Sequence, residues 1–418
     1  MKKGSVSKSN PLRSPSASNA IPQFFAIDFF CGAGGTSRGL IDAGGYVVAG
    51  IDKDLRCRDT YVRNNPNLYL DEAHPIFLNL DIFPRTSQYQ SGRQEELSLQ
   101  LEELIGRFRG TQVMIPWLFS ICAPCQPFTG LARKALSDER KIGRHRDANL
   151  LCEATKFVER FRPELILSEN VQGIGDPKYG GVWDNFRKKL DSLDYATGSQ
   201  VVCASRFGIP QFRRRSILLA VRKDVVANHR FADLFKKLLL VPEYDPDAAL
   251  VTVRQAISHL PPLAAGQAHP QIPNHIASAL IPINLRRLAA ARPGESNAYM
   301  KDTPHGDLTL HCHREVNRKM GKPCFSDVYT RMEPDRPSPT ITTKCKSISN
   351  GRFGHFDVKQ VRGISLREAA ILQSFPEDYV FYSEGGQESV ARMIGNAVPP
   401  KLAEFYSRYL VRSIDCRH

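Results

Sequence analysis

The sequence predicts a doubly wound α/β domain followed by a smaller, irregular one, on three observations. A short apolar run, FFAIDFF, leads directly into a glycine turn, CGAGG. A second run, YVVAGID, ends on Asp52, at about the twenty-residue distance that a nucleotide-binding turn keeps from its ribose-binding acid. Apolar strands and amphipathic helices then alternate to about residue 224 and stop. Such alternation builds a mostly parallel sheet with helices on both faces.

The elements follow in chain order. Residues 1–22 are rich in Ser, Pro and Asn and carry Lys2, Lys3, Lys8 and Arg13 with no acid, so a disordered basic leader is expected there. FFAIDFF reads as a buried strand, and CGAGGTSRGL as a turn opening a helix. YVVAGID is the second strand. Residues 85–112 read as a polar insertion with one helical stretch, EELSLQLEELIGRF. PWLFSICAPC is a strand, LLCEATKFVERF a helix, ELILSENV a strand and VWDNFRKKLDSL a helix; the strands YATGSQVVCA and SILLAVR close the series. Beyond them the chain is rich in Pro, His and Arg, and residues 225–384 are expected to form the second domain.

The chain has 418 residues, enough for a large core in two domains. It lacks the ~18 consecutive apolar residues of a membrane span, and its start lacks the apolar stretch of a signal peptide, so a cytoplasmic protein is expected; a monomer is expected as well. Ten cysteines without paired CxxC motifs read as reduced thiols. Lys and Arg number 57 against 43 Asp and Glu, a net charge of +14. Such an excess favours a polyanionic partner, nucleic acid before membrane, over the alternative of a merely solvated basic surface.

Several segments can carry chemistry. Gly32, Gly34 and Gly35 allow close approach of backbone to a ligand, and Asp52 can take ribose hydroxyls; a nicotinamide, flavin or S-adenosylmethionine site would fit, as would a purely structural turn. In APCQPFT, Cys125 follows an apolar strand and a proline, at the sheet edge where open α/β folds bind ligands. A nucleophilic thiol needs such exposure and positive surroundings. Cys122, Cys31, Cys57, Cys152 and Cys203 read instead as inert core thiols. The stretch after Cys125 holds Arg133, Lys134, Arg140, Lys141, Arg144 and Arg146, either a mobile loop for a phosphate backbone or a solvated helix. Glu169 ends ELIL at the same edge and can move a proton on a heteroaromatic ring; alone, it could equally be a capping or ion-paired residue. In IPQFRRR, alternation sends Arg213 and Arg215 to one face and Arg214 to the other, which suggests anion or carbonyl recognition.

Together these motifs resemble the DNA (cytosine-5)-methyltransferases of bacterial and phage type, in the family's order and from about Phe25 to about Leu410. DFFCGAGG, beginning at Asp28, resembles the first S-adenosylmethionine motif, APCQPFT the nucleophile motif, SENV the acid motif and IPQFRRR the arginine motif. RMEPDRPSPTITT and GRFGHF resemble the frame of a recognition domain, and REAAILQSFPEDYVF and IGNAVPP the last motifs. The resemblance implies a Rossmann-like S-adenosylmethionine-dependent methyltransferase domain over 23–224, completed by 385–418, whose C-terminal helix packs back on it. It implies a target-recognition domain over 225–384, double-stranded DNA as substrate, and a role in restriction-modification or phage defence, with a companion endonuclease or defence proteins. Cys125 would attack carbon 6 of a flipped cytosine, Glu169 would hold N3 and the exocyclic amine, and Arg215 would bind the base carbonyl with Arg213 beside it. For the cofactor, Asp28, Phe30, Gly32, Gly34, Gly35, Asp52, Asp81, Asn396 and Ala397 are implied, with Phe30 against adenine, Asp52 on the ribose and Asp81 at the adenine amine.

One departure is Lys53, which stands where the family usually covers adenine with an apolar residue. His311, Cys312, His313 and Cys324 fit no common structural zinc spacing, and no metal is expected. A transfer-RNA methyltransferase of the same fold is the nearest alternative, but the Cys-Phe-Thr signature of that branch is absent from 225–335. A silent DNA-binding protein would have no need of Cys125, Glu169 and Arg215 together.

Overall fold

The structure is a computed structural model and describes residues 21–69, 74–87, 89–109, 115–124, 149–176, 181–226, 249–321 and 324–414. Cys125, the basic stretch after it and residues 1–20 of the leader lie outside the described residues.

Among the described residues seven strands form one sheet: β1 (Phe24–Phe29), β2 (Gly45–Ile51), β3 (Ile76–Leu78), β4 (Trp117–Ile121), β5 (Leu165–Val171), β6 (Tyr195–Cys203) and β7 (Arg214–Arg222), in the order β3-β2-β1-β4-β5-β7-β6. The first five pair in parallel, and β7 runs antiparallel between β5 and β6. Only residues 204–213 join β6 to β7. That is shorter than the dozen or so residues a parallel crossover needs, so the chain must turn back.

β1 is buried along its whole length, as a central strand covered on both faces must be. Phe25, Ile27 and Phe29 pack on one side with α3 (Gln94–Arg109), α4 (Leu150–Phe161) and α5 (Val182–Ser192). Phe24 and Ala26 pack on the other with α1 (Gly35–Asp42) and the last helix. The region expected as a polar insertion is therefore corrected: Leu97, Leu101, Leu104 and Ile105 place one face of α3 in the core, because its apolar residues recur at helical spacing beneath a polar composition.

After α2 (Arg58–Asn64) and the sheet, the chain forms α6 (Val253–Ile257), α7 (Pro282–Ala290), α8 (His311–Met320), α9 (Leu366–Leu372), α10 (Gly386–Asn396) and α11 (Pro400–Ile414). The C-terminal helix packs back as expected. At Gly39 of α1 an added Cβ would lie 2.3 Å from the Pro400 carbonyl oxygen and 2.7 Å from Ala403 Cβ, so glycine permits the close approach. Arg408 also donates to the Asp42 carbonyl.

The second region has two cores. Leu288, Ala291, Met300, Leu308, Tyr329 and Ile348 make a small one of their own. Val253, Met332, Ile341, Ile364, Phe381 and Val390 share another with Ala33 and Cys57 of the first region, so the boundary expected at 384 falls within continuous packing. Arg331, Arg362 and Arg367 are almost wholly buried. The Arg331 guanidinium donates to the carbonyls of Leu288, Ala291, His355, Asp357 and Gln360, and Arg362 forks onto Glu368 with both contacts at 2.8 Å. These arginines are internal ties that no partner reaches. Among the described residues no helix is long and apolar enough to cross a membrane.

Candidate active site

The carboxyl ends of β1, β2, β4 and β5 open onto a cavity of about 390 Å³, within the range of small-molecule sites. Its wall comprises Phe30, Cys31, Gly32 and Gly35 after β1, Asp52 and Lys53 after β2, and Cys122 to Pro124 after β4. Glu169 on β5, Arg213 and Arg215 at the start of β7, and Asn396 and Ala397 after α10 complete it.

The turn after β1 is built on unusual backbone. Phe30 sits at φ 62 and Gly32 at φ 51. A left-handed phenylalanine is a local strain, and such strain gathers at ligand clamps. The Gly32 N–H donates to Asp52 Oδ2 at 2.9 Å and the Asp54 N–H to Oδ1 at 2.8 Å. Each carboxylate oxygen keeps a lone pair, and burial raises the carboxyl above its ordinary range. Nothing stands within 4 Å of a Cβ placed on Gly32, leaving room beside its backbone. An anchored acid beside open space along a glycine turn suits the ribose of a nucleoside, and S-adenosylmethionine carries one.

Gly34 does different work. Its φ is 91, and a Cβ there would meet Asn65 Nδ2 at 2.3 Å and the Tyr379 hydroxyl at 2.8 Å. It makes the turn and the packing beneath it but does not line the cavity.

Two other expected cofactor residues also lie outside the wall. Even positions of β1 face α1, so Asp28 is fully buried there and accepts from Ser37 Oγ at 2.7 Å, its Oδ1 having no hydrogen-bond partner. Asp81 instead accepts from the Phe83 N–H at 3.1 Å. Burial pushes the Asp28 carboxyl up to about 7 against the hydrogen bond from Ser37. An unfolded Asp titrates near ~3.9, so between the two values the folded chain holds more protons and stability falls as pH rises. Asp28→Asn removes that dependence. The urea midpoint of the variant relative to the parent is expected to rise between about pH 4 and about pH 7 and to level off above that; a constant difference would refute the role.

Glu169 and Arg215 meet because β7 is antiparallel to β5. Arg215 stands opposite Val171, which puts Glu169 two positions along on the same face, in reach of a long side chain. Arg215 Nε lies 2.8 Å from Glu169 Oε1, both side chains about nine-tenths buried. That contact is a charge pair without hydrogen-bond alignment, since Oε1 has no hydrogen-bond partner. Arg215 Nη1 donates to the Arg214 carbonyl at 2.7 Å. An orphaned carboxylate oxygen beside a guanidinium, both walls of one cavity, is a receptor for a group that donates and accepts side by side.

Arg213 lines the same cavity but is spent on structure, a correction to its expected place beside the base carbonyl. Its Nη1 donates to the Ile341 carbonyl at 2.9 Å and Nη2 to Gly395 and Ala397 at 3.1 and 3.2 Å. Arg213→Met would take one donor from each of three carbonyls, those of Ile341, Gly395 and Ala397. A loss of about 3 kcal/mol is expected in urea unfolding, from hydrogen bonds to a charged group; a change under about 0.5 kcal/mol, typical of a surface site, would overturn the reading.

Sequence reasoning missed some supports. Asn170 donates to the Ala123 carbonyl at 3.0 Å and Ser168 to Ile121 at 2.5 Å, so β5 fixes the chain that leads into position 125. Their signal is present in SENV, beside the acid. Gln211 donates to the Leu372 carbonyl and to Gln373 Oε1 and accepts from the Ile341 N–H. Arg56 forks onto Asp54, and Arg392 of α10 lies 3.6 Å from the same carboxylate at the cavity rim, near the exposed Lys53.

The other thiols also need revision. Cys31, Cys57 and Cys122 line the cavity rather than the deep core alone, and Cys152 on α4 is exposed. Burial, with the Glu169 charge next, holds the Cys122 thiol well above its ordinary range, and burial pushes Cys57 up to about 12. These groups stay protonated and poorly nucleophilic.

The family model described as C-5 cytosine-specific DNA methylase matches residues 113–412. The type II methylase M.HgiDII of Herpetosiphon aurantiacus is 33% identical over 394 residues, covering 94% of this chain and 96% of that protein. The type II methyltransferase M.DdeI of Desulfomicrobium norvegicum is 26% identical, covering 90% and 86%. Among solved structures, a DNA modification methyltransferase encoded within an E. coli prophage superposes with a TM-score of 0.62 at 21% identity, covering 93% of this chain and 99% of that one. The S. pombe Dnmt2 methyltransferase gives 0.51 at 17% identity, covering 93% and 98%. The two superpositions speak to the fold.

Proposed function

The chain belongs to the C-5 cytosine-specific DNA methylases and methylates carbon 5 of cytosine in DNA, and we propose that it does so on a specific duplex sequence with S-adenosylmethionine held in the cavity described above. The observation that carries this reading is the Glu169–Arg215 pair, open to one cavity with the Gly32–Asp52 turn.

Cytosine in a duplex is stacked, so it must be extruded before its ring can be reached. Glu169 then bonds the exocyclic amine and N3 and passes a proton to N3. Arg215 has used Nε and Nη1 within the protein, which leaves Nη2 for the base carbonyl. Cys125 directly follows Pro124 of the cavity wall. Its thiolate bonds to carbon 6, the ring's electron pair moves toward carbon 5, and proton transfer at N3 neutralises the charge that develops. Bound S-adenosylmethionine supplies an electrophilic methyl group for carbon 5. Loss of the carbon 5 proton to water and departure of the Cys125 sulfur as thiolate, with the N3 proton returning to Glu169, then restore the neutral aromatic base.

For the cofactor, Asp52 would take the ribose hydroxyls, Gly32 and Gly35 would flank the methionine portion, and Phe30 would meet adenine. Asn396 and Ala397, in the turn whose Gly395 and Ala397 carbonyls accept from Arg213, would close the far side. The exposed Lys53 would cover adenine with its stem. The type II names of the relatives support a role in restriction-modification, with a companion endonuclease reading the same sequence.

Bisulfite sequencing of duplex DNA incubated with the purified protein and S-adenosylmethionine tests the reading. Protected cytosines confined to one sequence are expected. No protection of duplex DNA, with methyl transfer to transfer RNA instead, would overturn it.

A further inference from the structure

Helix α8 is a surface element of unusual character. None of its residues is buried, and its sequence, HCHREVNRKM, carries Arg314, Arg318 and Lys319 against the single acid Glu315. Arg314 is tied to Asp307 at 2.9 Å. Arg318 and Lys319 are exposed and have no acidic partner among the described residues. Apolar burial does not hold this helix in place, so polar ties must. Besides the Arg314 pair, Asn317 Oδ1 accepts from the Cys324 N–H at 2.7 Å.

Beside the helix stands Phe325. It is 58% exposed and adopts φ 58, a left-handed conformation that an aromatic residue rarely takes. The surrounding bonds hold it there: Asn297 Nδ2 donates to the Phe325 carbonyl at 2.8 Å, and the Asn297 N–H to the Ser326 carbonyl at 2.9 Å. Its ring stacks on His313 of α8, with centroids 5.5 Å apart and planes at 29°. Strain of this kind persists only where the surroundings over-determine it, and it gathers at binding sites. An exposed aromatic ring braced against an unburied basic helix matches a polyanion that also offers flat apolar faces.

Resting on the DNA-methylating activity above, we propose that α8 and Phe325 form a contact with the target duplex, in which Arg318 and Lys319 meet phosphates and the Phe325 ring stacks on a base. An extruded cytosine leaves neighbouring base faces uncovered, which is what an inserted apolar side chain can occupy. The α8 helix itself has a diameter that suits the major groove.

Duplex binding measured across a salt series separates the phosphate interaction from the stacking one. Phe325→Ala is expected to weaken binding about 5- to 100-fold, the value of one aromatic-base stack, with the slope of log affinity against log salt unchanged. Arg318→Ala combined with Lys319→Ala should flatten that slope by about 1.8, since each phosphate that a side chain neutralises adds about 0.9. Phe325→Trp should bind as the parent does, and its indole should be quenched by the duplex but not by S-adenosylhomocysteine. Trp117 and Trp183, the two native tryptophans, are buried and give the background.

Duplex affinity within twofold of the parent in Phe325→Ala, or an unquenched tryptophan in Phe325→Trp, overturns the stacking interaction. An unchanged slope in the double variant overturns the phosphate interaction. If Phe325→Ala disturbs association with another protein and leaves duplex binding intact, the surface belongs to a protein partner and the proposal fails. Failure of the DNA-methylating reading itself is distinct, because the parent protein would then neither bind nor methylate duplex DNA.

Discussion

Cys125→Ser is expected to abolish methyl transfer, lowering the rate by at least about 10³-fold, as loss of a covalent nucleophile does. A serine hydroxyl is far less acidic than a thiol, so almost none of it is the anion that bonds to carbon 6. Duplex binding and cofactor binding should both survive. Asp52, Gly32 and the basic surfaces do not depend on the thiol. DNA with 5-fluorocytosine at the target should form a covalent adduct with the parent protein, because fluorine cannot leave as a proton does. Peptide mapping should find the adduct on Cys125, and the serine variant should form none. A variant keeping more than a tenth of the parent's rate would remove Cys125 from the chemistry. An adduct mapped to Cys122 would do the same, and the elevated Cys122 thiol pKa argues against that result.

Glu169→Gln is the second large effect. The amide keeps the size of the side chain and can still bond the base, but it cannot pass a proton to N3, so the rate should fall about 10²- to 10⁴-fold, the usual worth of general acid catalysis. Cofactor affinity should change less than twofold, because Asp52 and its two backbone donors lie in the turns after β1 and β2, whereas the pair stands on β5 and β7. Arg215→Lys should also lower the rate, since a point charge cannot span the base and Glu169 as a planar fork does. The two changes combined should cost less than the sum of their separate effects, as expected for groups in contact. Fully additive losses would mean that the pair does not act as a unit. An unimpaired Glu169→Gln variant would show that the carboxyl only holds Arg215.

The sequence made the strands legible because most are continuous apolar runs, and it made the acid and arginine motifs legible because they end or begin such runs. Glu169 at the end of ELIL and Arg215 at the start of SILLAVR were bound to reach a sheet edge. That it would be the same edge was not written in either segment. It follows from the reversed direction of β7, which comes from the short connection after β6. Arg213 shows the opposite case. Alternation placed it on the face of Arg215 correctly, yet its partners lie 128, 182 and 184 residues away, and no local pattern could reveal that they would take its guanidinium. Asp28, expected among the cofactor residues, lies outside the cavity wall for a similar reason. Its place in the glycine motif is local, whereas its burial depends on α1 closing over that face of the sheet.

The positive charge divides in the same way. Composition alone established an excess of Lys and Arg and a preference for a polyanion. Tertiary structure sorted the arginines: Arg331, Arg362 and Arg367 are interior ties, Arg213 and Arg215 serve the cavity wall, and Arg318 and Lys319 remain on the surface for a partner. By itself the sequence determined the fold class, the order of the motifs and the chemistry available at Cys125, Glu169 and Asp52, because apolar periodicity and residue type are local properties. Only the tertiary structure decided which of the charged groups face one another, which are consumed by backbone carbonyls and which stay exposed. Those outcomes are set by packing between segments hundreds of residues apart, where burial makes an unpaired polar group too costly to leave.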